Sequence, residues 1–347
     1  MALHQNGYDV VLVGRVLTQS LPLEERIYSV KRFNVLFEKG PLFYMAYNIR
    51  LFFYLLFNKA DFYLSNDLDT LLANYLVSKM KKVALVYDSH EYFTEVPELI
   101  MRPFIRSIWM GIEKWIFPKL RKVITVNDSI AEIYSKKYSV KVKTVRNLPI
   151  LQDRSLPAEN KQNWSIPSSA KVFLFQGAGI NIDRGAEEAV ASIEKVEGAV
   201  LLFIGSGDII EQIKAKVKKS KLEQKVFFIP KQPFPKLIGF TKMADFGLTL
   251  DKDTNLNYRF SLPNKIFDYI QAGLPILATD LPEVKKIIHQ YDIGLISPSS
   301  DPEILAQKMK EMMHENLDRW KKNLNLAATE LCWENEQHKL LELFDNG

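Results

Sequence analysis

Short apolar runs alternate with segments of helical spacing along this chain, and the alternation predicts most of its architecture. Runs at 30–37, 62–65, 83–87, 123–126 and 142–145 are rich in Val, Ile, Phe and Tyr and short enough to be strands. Helical patterns separate most of them, which predicts a parallel sheet with helices on both faces. The opening reads as a helix end, a turn at Gly7 and a strand reaching Arg15. Doubly wound domains place a strand and a Gly-containing loop ahead of such a helix. The first strand of the N-terminal domain is therefore expected to be missing, through a late start or trimming, with a gap at the centre of the sheet. The second half restarts the rhythm. A strand at 172–176 leads into Gly177-Ala-Gly179 and a helix headed by Arg184, and a strand at 200–204 leads into Gly205-Ser-Gly207 and a Lys-rich helix. Runs at 226–229, 246–250, 276–278 and 294–296 complete a second parallel sheet, and the tail from 301 to 344 reads as helical.

The fold class is thus α/β, with two Rossmann-like doubly wound domains. The first spans 1–149. A linker at 150–168, marked by Pro157 and Pro167 just after Pro149, precedes the second domain at 169–330, and a final helical piece occupies 331–347. Gly177 and Gly179 do not make a dinucleotide fingerprint, because its third glycine would fall at Ile182.

Composition narrows the partners. The chain has 347 residues, enough for two cores, with 47% hydrophobic and 25% charged residues. A net charge of +5 permits phosphates or an anionic membrane surface and does not demand nucleic acid. A single cysteine, Cys332, excludes an internal disulfide and a cysteine-based zinc site, and a reducing cytosol is the expected compartment. The most apolar run, 42–57, contains Asn48 and Arg50 and is too short to span a bilayer; it reads first as a buried helix and second as an interfacial one. Residues 101–122 carry six basic side chains and one acid, Glu113, with Phe104, Ile108, Ile112 and Ile116 recurring every four residues. That pattern fits a core helix with a solvated basic face, or an interfacial helix against anionic lipid.

Candidate chemistry concentrates at 261–280. A polar loop with Ser261 feeds a helix expected to carry Pro263 in its first turn, next to Asn264; its apolar side is Ile266, Phe267 and Ile270, and Gly273 and Pro275 end it. Free N–H groups at such a helix start suit a phosphate. Lys265 and Asp268, three residues apart, share a face. A cation for phosphate and a carboxylate for sugar hydroxyls suit a nucleotide sugar, whereas the plain alternative is a solvated ion pair. Further polar stations follow the strands of the first half: Asn66-Asp67-Leu-Asp69, Asp88-Ser-His90-Glu91 and Asn127-Asp-Ser129, the last a good helix cap.

The stretch 261–280 resembles the C-terminal donor-site motif of family 4 glycosyltransferases of the GT-B fold, a Glu-x7-Glu pattern on a helix ending in Ala-x-Gly-x-Pro. Asp268 takes the place of the second Glu, Ala272-Gly273-Leu-Pro275 follows it, and Phe260 occupies the position of the first Glu. Residues 86–99, Val-Tyr-Asp-Ser-His-Glu-Tyr-Phe-Thr-Glu-Val-Pro-Glu-Leu, resemble a bacterial subgroup in which the His touches the transferred sugar; His90 matches it.

The resemblance implies a retaining glycosyltransferase that moves a sugar from a nucleotide diphosphate sugar to a glycan or lipid-linked acceptor, in cell-surface polysaccharide synthesis. It implies catalytic roles for His90, Arg184 and Lys265. The donor would be bound by Gly177, Gly179, Arg184, Gly205, Gly207, Ser261, Asn264, Lys265 and Asp268, and Asp67 and Glu91 would lie on the acceptor side. An Arg that many relatives carry before Arg184 is absent, with Gly179 nearest, which shifts diphosphate charge onto Lys265. No cofactor, metal or nucleic acid is expected, and the leaving phosphate itself would take the acceptor proton. The last helix would cross back to the first domain, and the protein would be cytoplasmic or peripheral on the inner face of the membrane. A GT-B nucleotide-sugar epimerase and a non-catalytic glycosyltransferase-like binding protein are the alternatives.

Overall fold

The computed structural model describes residues 2–18, 20, 22–23, 25–153 and 155–344; Met1 of the opening segment, Arg154 of the linker and 345–347 of the tail lie outside the described residues. The chain divides into two compact units: Met1–Arg146 with Gln337–Gly347, and Asn147–Glu336.

In unit 1 the strands are β1 (Val11–Val16), β2 (Ser29–Asn34), β3 (Phe62–Asn66), β4 (Ala84–Ser89), β5 (Lys122–Thr125) and β6 (Val142–Thr144). All pairings are parallel, but they form two sheets, β1-β2 and β3-β4-β5-β6. Among the described residues β1 pairs only with β2, and β3 only with β4. One hydrophobic cluster nonetheless joins the two sheets: Val13 and Phe33 pack with Tyr47, Leu51, Tyr63 and Val77. A second gathers Phe62, Leu64, Val86 and Ile124 under Tyr8, Leu343 and Phe344. The helix Trp333–Leu341 starts in unit 2 and ends in unit 1, so the C-terminal residues cover a sheet built from the first half of the chain.

In unit 2 the strands are β7 (Lys171–Gly177), β8 (Ala199–Gly205), β9 (Val226–Pro230), β10 (Phe246–Thr249), β11 (Ile276–Thr279) and β12 (Gly294–Ser297). They form one parallel sheet in the order β12-β11-β10-β7-β8-β9. The central strand β7 reads Val172-Phe-Leu-Phe-Gln and is buried on both faces, as continuous apolar runs in parallel sheets are. Each fully buried Phe or Leu there contributes about 1.5–3 kcal/mol. The polar stretch 150–168 runs along this unit: Glu159 N–H donates to the Gly239 carbonyl at 2.9 Å and Ile166 is part of the core.

The chain leaves β7 toward β8 and β9, then returns to the other side of β7 with β10. The order of the sheet therefore reverses between β7 and β10, and ligands of open parallel sheets sit beyond the carboxyl ends at such a switch point. The loops from these two strands are held together there. Lys252 N–H donates to the Asp183 carbonyl at 2.9 Å. Gly185, at φ +82°, caps the helix Ala186–Ile193, and a Cβ on it would lie 2.2 Å from the Leu250 carbonyl oxygen. Gly185→Ala should combine left-handed strain with overpacking and destabilise the protein by about 2–5 kcal/mol. Urea unfolding measures this, and an unchanged midpoint would show that the two loops can separate.

Candidate functional site

At the switch point of unit 2 a buried carboxylate holds two cations. Asp251, just past β10, is 1% exposed. Its Oδ1 accepts from Arg184 Nη1 at 2.7 Å, and its Oδ2 lies 3.6 Å from Lys265 Nζ. Arg184 comes from the loop after β7 and Lys265 opens the helix Lys265–Ala272. Arg184 lies over the Tyr258 ring at 4.2 Å and Lys265 over the Phe175 ring at 4.4 Å. Burial opposes the charge of Asp251, yet Lys265 and Arg184 outweigh it and hold its carboxyl below the usual range. Burial lowers the Lys265 ammonium, with Asp251 opposing that shift and Arg184 adding to it.

Asp268 is half-buried rather than on an open helix face, and it does not share a solvated pair with Lys265. Its Oδ2 accepts from Gln176 Nε2 at 3.1 Å, and burial pushes its carboxyl up to about 6. Tyr269 fixes this helix on the sheet. Its hydroxyl accepts the Gln176 N–H at 3.0 Å and lies 3.1 and 3.2 Å from the Leu174 and Leu248 carbonyls. The helix begins at Lys265, so Pro263 stands in the preceding loop, and Asn264 takes the cap position without a side-chain cap bond. Ser261 Oγ donates to the Tyr258 carbonyl at 2.9 Å.

Gly177 and Gly179 present open backbone: a Cβ on either would meet nothing closer than 3.7 Å. Gly205 and Gly207 serve a different purpose. A Cβ on Gly205 would lie 1.8 Å from the Gly177 carbonyl oxygen, and one on Gly207 2.2 Å from that of Ile180. These two glycines let the loops after β7 and β8 lie backbone to backbone, where Ser206 N–H donates to Gly177 at 3.1 Å and Ile180 N–H to Ser206 at 3.0 Å. A cleft of about 500 Å³ beside β12, lined by residues such as Lys285, His289 and Leu295, contains none of the catalytic, donor-binding or acceptor-side residues named from the sequence.

In unit 1 the carboxyl ends of β3 and β4 form a clamp around His90. Its Nδ1 lies 3.1 Å from Asp67 Oδ2 and its Nε2 3.2 Å from Asp88 Oδ2, so both ring nitrogens are engaged. His90 N–H also donates to Asp67 Oδ1 at 2.9 Å. Asp67 stands at the cap position of the helix Leu68–Lys81 but makes no side-chain cap bond there; its carboxylate serves His90 instead. Its backbone, at φ 56° and ψ 168°, lies in a region that side-chain-bearing residues rarely enter. The Asp67 N–H bond to the Asp88 carbonyl at 2.8 Å holds it there. Asp69, two residues on, is pushed up to about 6 by burial and by Asp67. Glu91 is half-buried, and its carbonyl accepts from Ser89 Oγ at 2.8 Å.

The structure therefore gathers Arg184, Lys265, Asp268 and the Gly177–Gly179 loop at one switch point, and Asp67 and His90 at another strand edge. Sequence reasoning missed Asp251, Gln176, Asp88 and Tyr269 as partners. Three of the four stand at or just beyond carboxyl ends of strands, a position that was available as a signal.

The chain matches two families side by side: residues 1–149 match Glycosyltransferase Family 4, and residues 158–328 match Glycosyl transferases group 1. Chitobiosyldiphosphodolichol beta-mannosyltransferase of Kluyveromyces lactis is 22% identical over 161 residues, 42% of this chain and 35% of that protein. The similarity thus spans about a third of the relative's length. Among solved structures, sucrose-phosphate synthase from Thermosynechococcus elongatus superposes with a TM-score of 0.76 at 17% identity, covering 99% of this chain and 90% of that one. Anabaena HepE in complex with UDP and glucose gives 0.68 at 14%, covering 92% and 87%.

Hydrogen bonding to Asp67, then to Asp88, pushes the His90 imidazole up to about 10 against its partial burial. This is above its unfolded value, so the stabilisation from the clamp is fully present below pH ~6.5 and lost as pH rises through about 10. NMR should find His90 protonated at pH 8 and its pKa lower in Asp67→Asn; a wild-type midpoint near 6.5 would mean that the clamp does not form in solution.

Proposed function

Because the chain belongs to the family 4-like glycosyltransferases of the GT-B fold, we propose that it transfers a sugar from a nucleotide diphosphate sugar to a glycan or lipid-linked acceptor in cell-surface polysaccharide synthesis. The observation that carries this reading is the pair of cations, Arg184 and Lys265, at the β7/β10 switch point beside the Asp268 carboxylate. The cations take the diphosphate and stabilise negative charge as it leaves. Open backbone at Gly177 and Gly179 admits the phosphates closely, and Asp268 accepts from ribose hydroxyls. Configuration is retained without a protein nucleophile, the leaving phosphate removing the acceptor's proton. Unit 1 provides the acceptor side, with Asp67, Glu91 and a positively charged His90 that stabilises the reacting region electrostatically rather than through a free ring nitrogen.

A lipid-linked acceptor also fits the surface of unit 1. Among the described residues no helix is long and apolar enough to cross a membrane. The helix Gly40–Phe57 buries Phe43, Tyr47, Leu51 and Leu55 but exposes a second stripe: Leu42, Met45, Ile49 and Phe53 by about half and Phe57 by 80%. It is therefore not the wholly buried helix its composition suggests. The helix Pro103–Ile116 exposes Phe104, Ile108 and Trp115, and Arg102, Lys114 and Lys119 are exposed with it. Ile116 is core, and Arg106 pairs with Glu95. Apolar stripes with basic neighbours suit an anionic bilayer and support the reading of a protein peripheral on the inner membrane face.

A thermal-shift screen of UDP- and GDP-linked sugars should find a ligand that raises Tm. With that donor, Asp268→Ala should weaken binding about tenfold or more, and His90→Ala should lower turnover about a hundredfold with little change in donor affinity. If no nucleotide sugar binds, the donor site is misassigned; if donor alone gives an epimerised sugar, the transferase reading gives way to an epimerase.

Replacing Arg102, Lys114 and Lys119 together with Gln should reduce co-sedimentation with phosphatidylserine vesicles, each basic residue being worth about 1 kcal/mol. Unchanged co-sedimentation at low salt would make the basic helix a solvated face only.

A further inference from the structure

Asp251 is the one carboxylate touched by both cations of the donor site among the described residues, and it is 1% exposed. Its backbone is secured as well as its side chain. Thr279 Oγ1 donates to its carbonyl at 2.6 Å from β11, and Thr249 Oγ1 lies 3.3 Å from Oδ2. A group so enclosed has no surface to offer a ligand. What it can do is decide where its partners point. The Lys265 side chain is 10% exposed and the Arg184 side chain 27%, so both cations are largely enclosed. Beside Asp251, Lys265 meets the face of Phe175, which favours a cation without fixing its direction as a carboxylate does, and Arg184 meets the Tyr258 ring and hydrogen-bonds its hydroxyl.

We propose that Asp251 is a positioning residue for the donor diphosphate: without touching the donor, it is the shared counter-ion that sets the placement and charge of Arg184 and Lys265. The proposal rests on the reading that these two cations bind the diphosphate.

The groups around Lys265 define the consequence. Asp251 faces it from the end of β10 and Arg184 from the loop after β7; Asp268 stands one turn along its own helix, while the Tyr258 phenol acts on Arg184 and the Tyr269 phenol lies near Asp268 and Asp251. Burial and Arg184 both push the Lys265 ammonium toward deprotonation, and Asp251 opposes them. With Asp251 neutralised, only the two lowering influences remain. Lys265 then loses its proton at lower pH, and diphosphate binding, which needs the ammonium, weakens as pH rises.

The test is calorimetric titration of UDP-glucose and GDP-mannose into the full chain from pH 7 to pH 9, a range in which their phosphodiester groups do not titrate. Wild type should bind one of them with affinity varying less than about twofold. Asp251→Asn should lose about tenfold between these limits, a one-proton dependence. Uridine or guanosine binding, which lacks phosphate, should stay flat in both. The double variant Asp251→Asn/Lys265→Arg should bind independently of pH, because a guanidinium keeps its proton. Folding of each variant is checked by circular dichroism. If Asp251→Asn does not fold, Asp251→Glu keeps the charge but shifts it by one methylene, and it should weaken donor binding about tenfold at every pH. Wild-type-like, pH-independent binding by Asp251→Asn, or unaltered affinity in Asp251→Glu, overturns the proposal. Failure of wild type to bind either nucleotide sugar overturns the donor reading, and the role of Asp251 with it.

Discussion

A carboxylate taken out of water must find its counter-charge inside the protein, and this constraint orders the structure at its most consequential points. Asp251 satisfies it with Arg184 and Lys265, which arrive from two different loops. Asp245, only partly withdrawn from water, pairs with Lys161, Lys171 and the Val172 N–H, tying the start of β7 to the start of β10. Glu113 in unit 1 satisfies the constraint with Lys137 and Tyr138. In each case segments distant in the chain are joined because removing either partner would strand a charge. At Asp251 the same requirement leaves two cations at the carboxyl end of a parallel sheet, where a polyanionic ligand would be received.

The two units reach their polar clusters by different routes. In unit 2 the cations are set by a buried anion and by close backbone packing at Gly185 and Gly205. In unit 1 the cluster is more exposed and is held by hydrogen bonds that sustain a strained backbone at Asp67. Asp67 sits in a conformation that normally requires glycine, and the His90 bonds offset part of that cost. Strain of this kind persists only where surrounding bonds over-determine it. The effect is an imidazolium fixed between two carboxylates, a positive charge that stays in place across the physiological range.

Much of the fold was legible in the sequence. Strand runs such as 172–176 and 200–204 needed only the rule that buried parallel strands read as continuous apolar segments, and they became β7 and β8. Asn127 was legible as a cap, and its side chain accepts the Ile130 N–H at 2.9 Å. The apolar run at 42–57 was legible as a helix, but which of its two apolar stripes would be covered was not, because no polar face distinguishes them.

The site divides the same way. Spacing alone brought out Lys265 and Asp268 as neighbours on a helix and His90 and Asp67 as strand-end residues. It could not show that Lys265 turns away from Asp268 toward Asp251, or that Asp88 takes the second nitrogen of His90. The pairings around Asp251 join residues 14 and 67 positions apart, and that of His90 with Asp67 residues 23 apart, across loops with no periodicity to read; Asp88 stands only two residues from His90, but its role depends on the same strand-end geometry. Sequence determined the elements, because propensity and apolar period act over a few residues. Tertiary structure decided the charge partners, because the desolvation that forces ions together exists only once the sheet has closed over them.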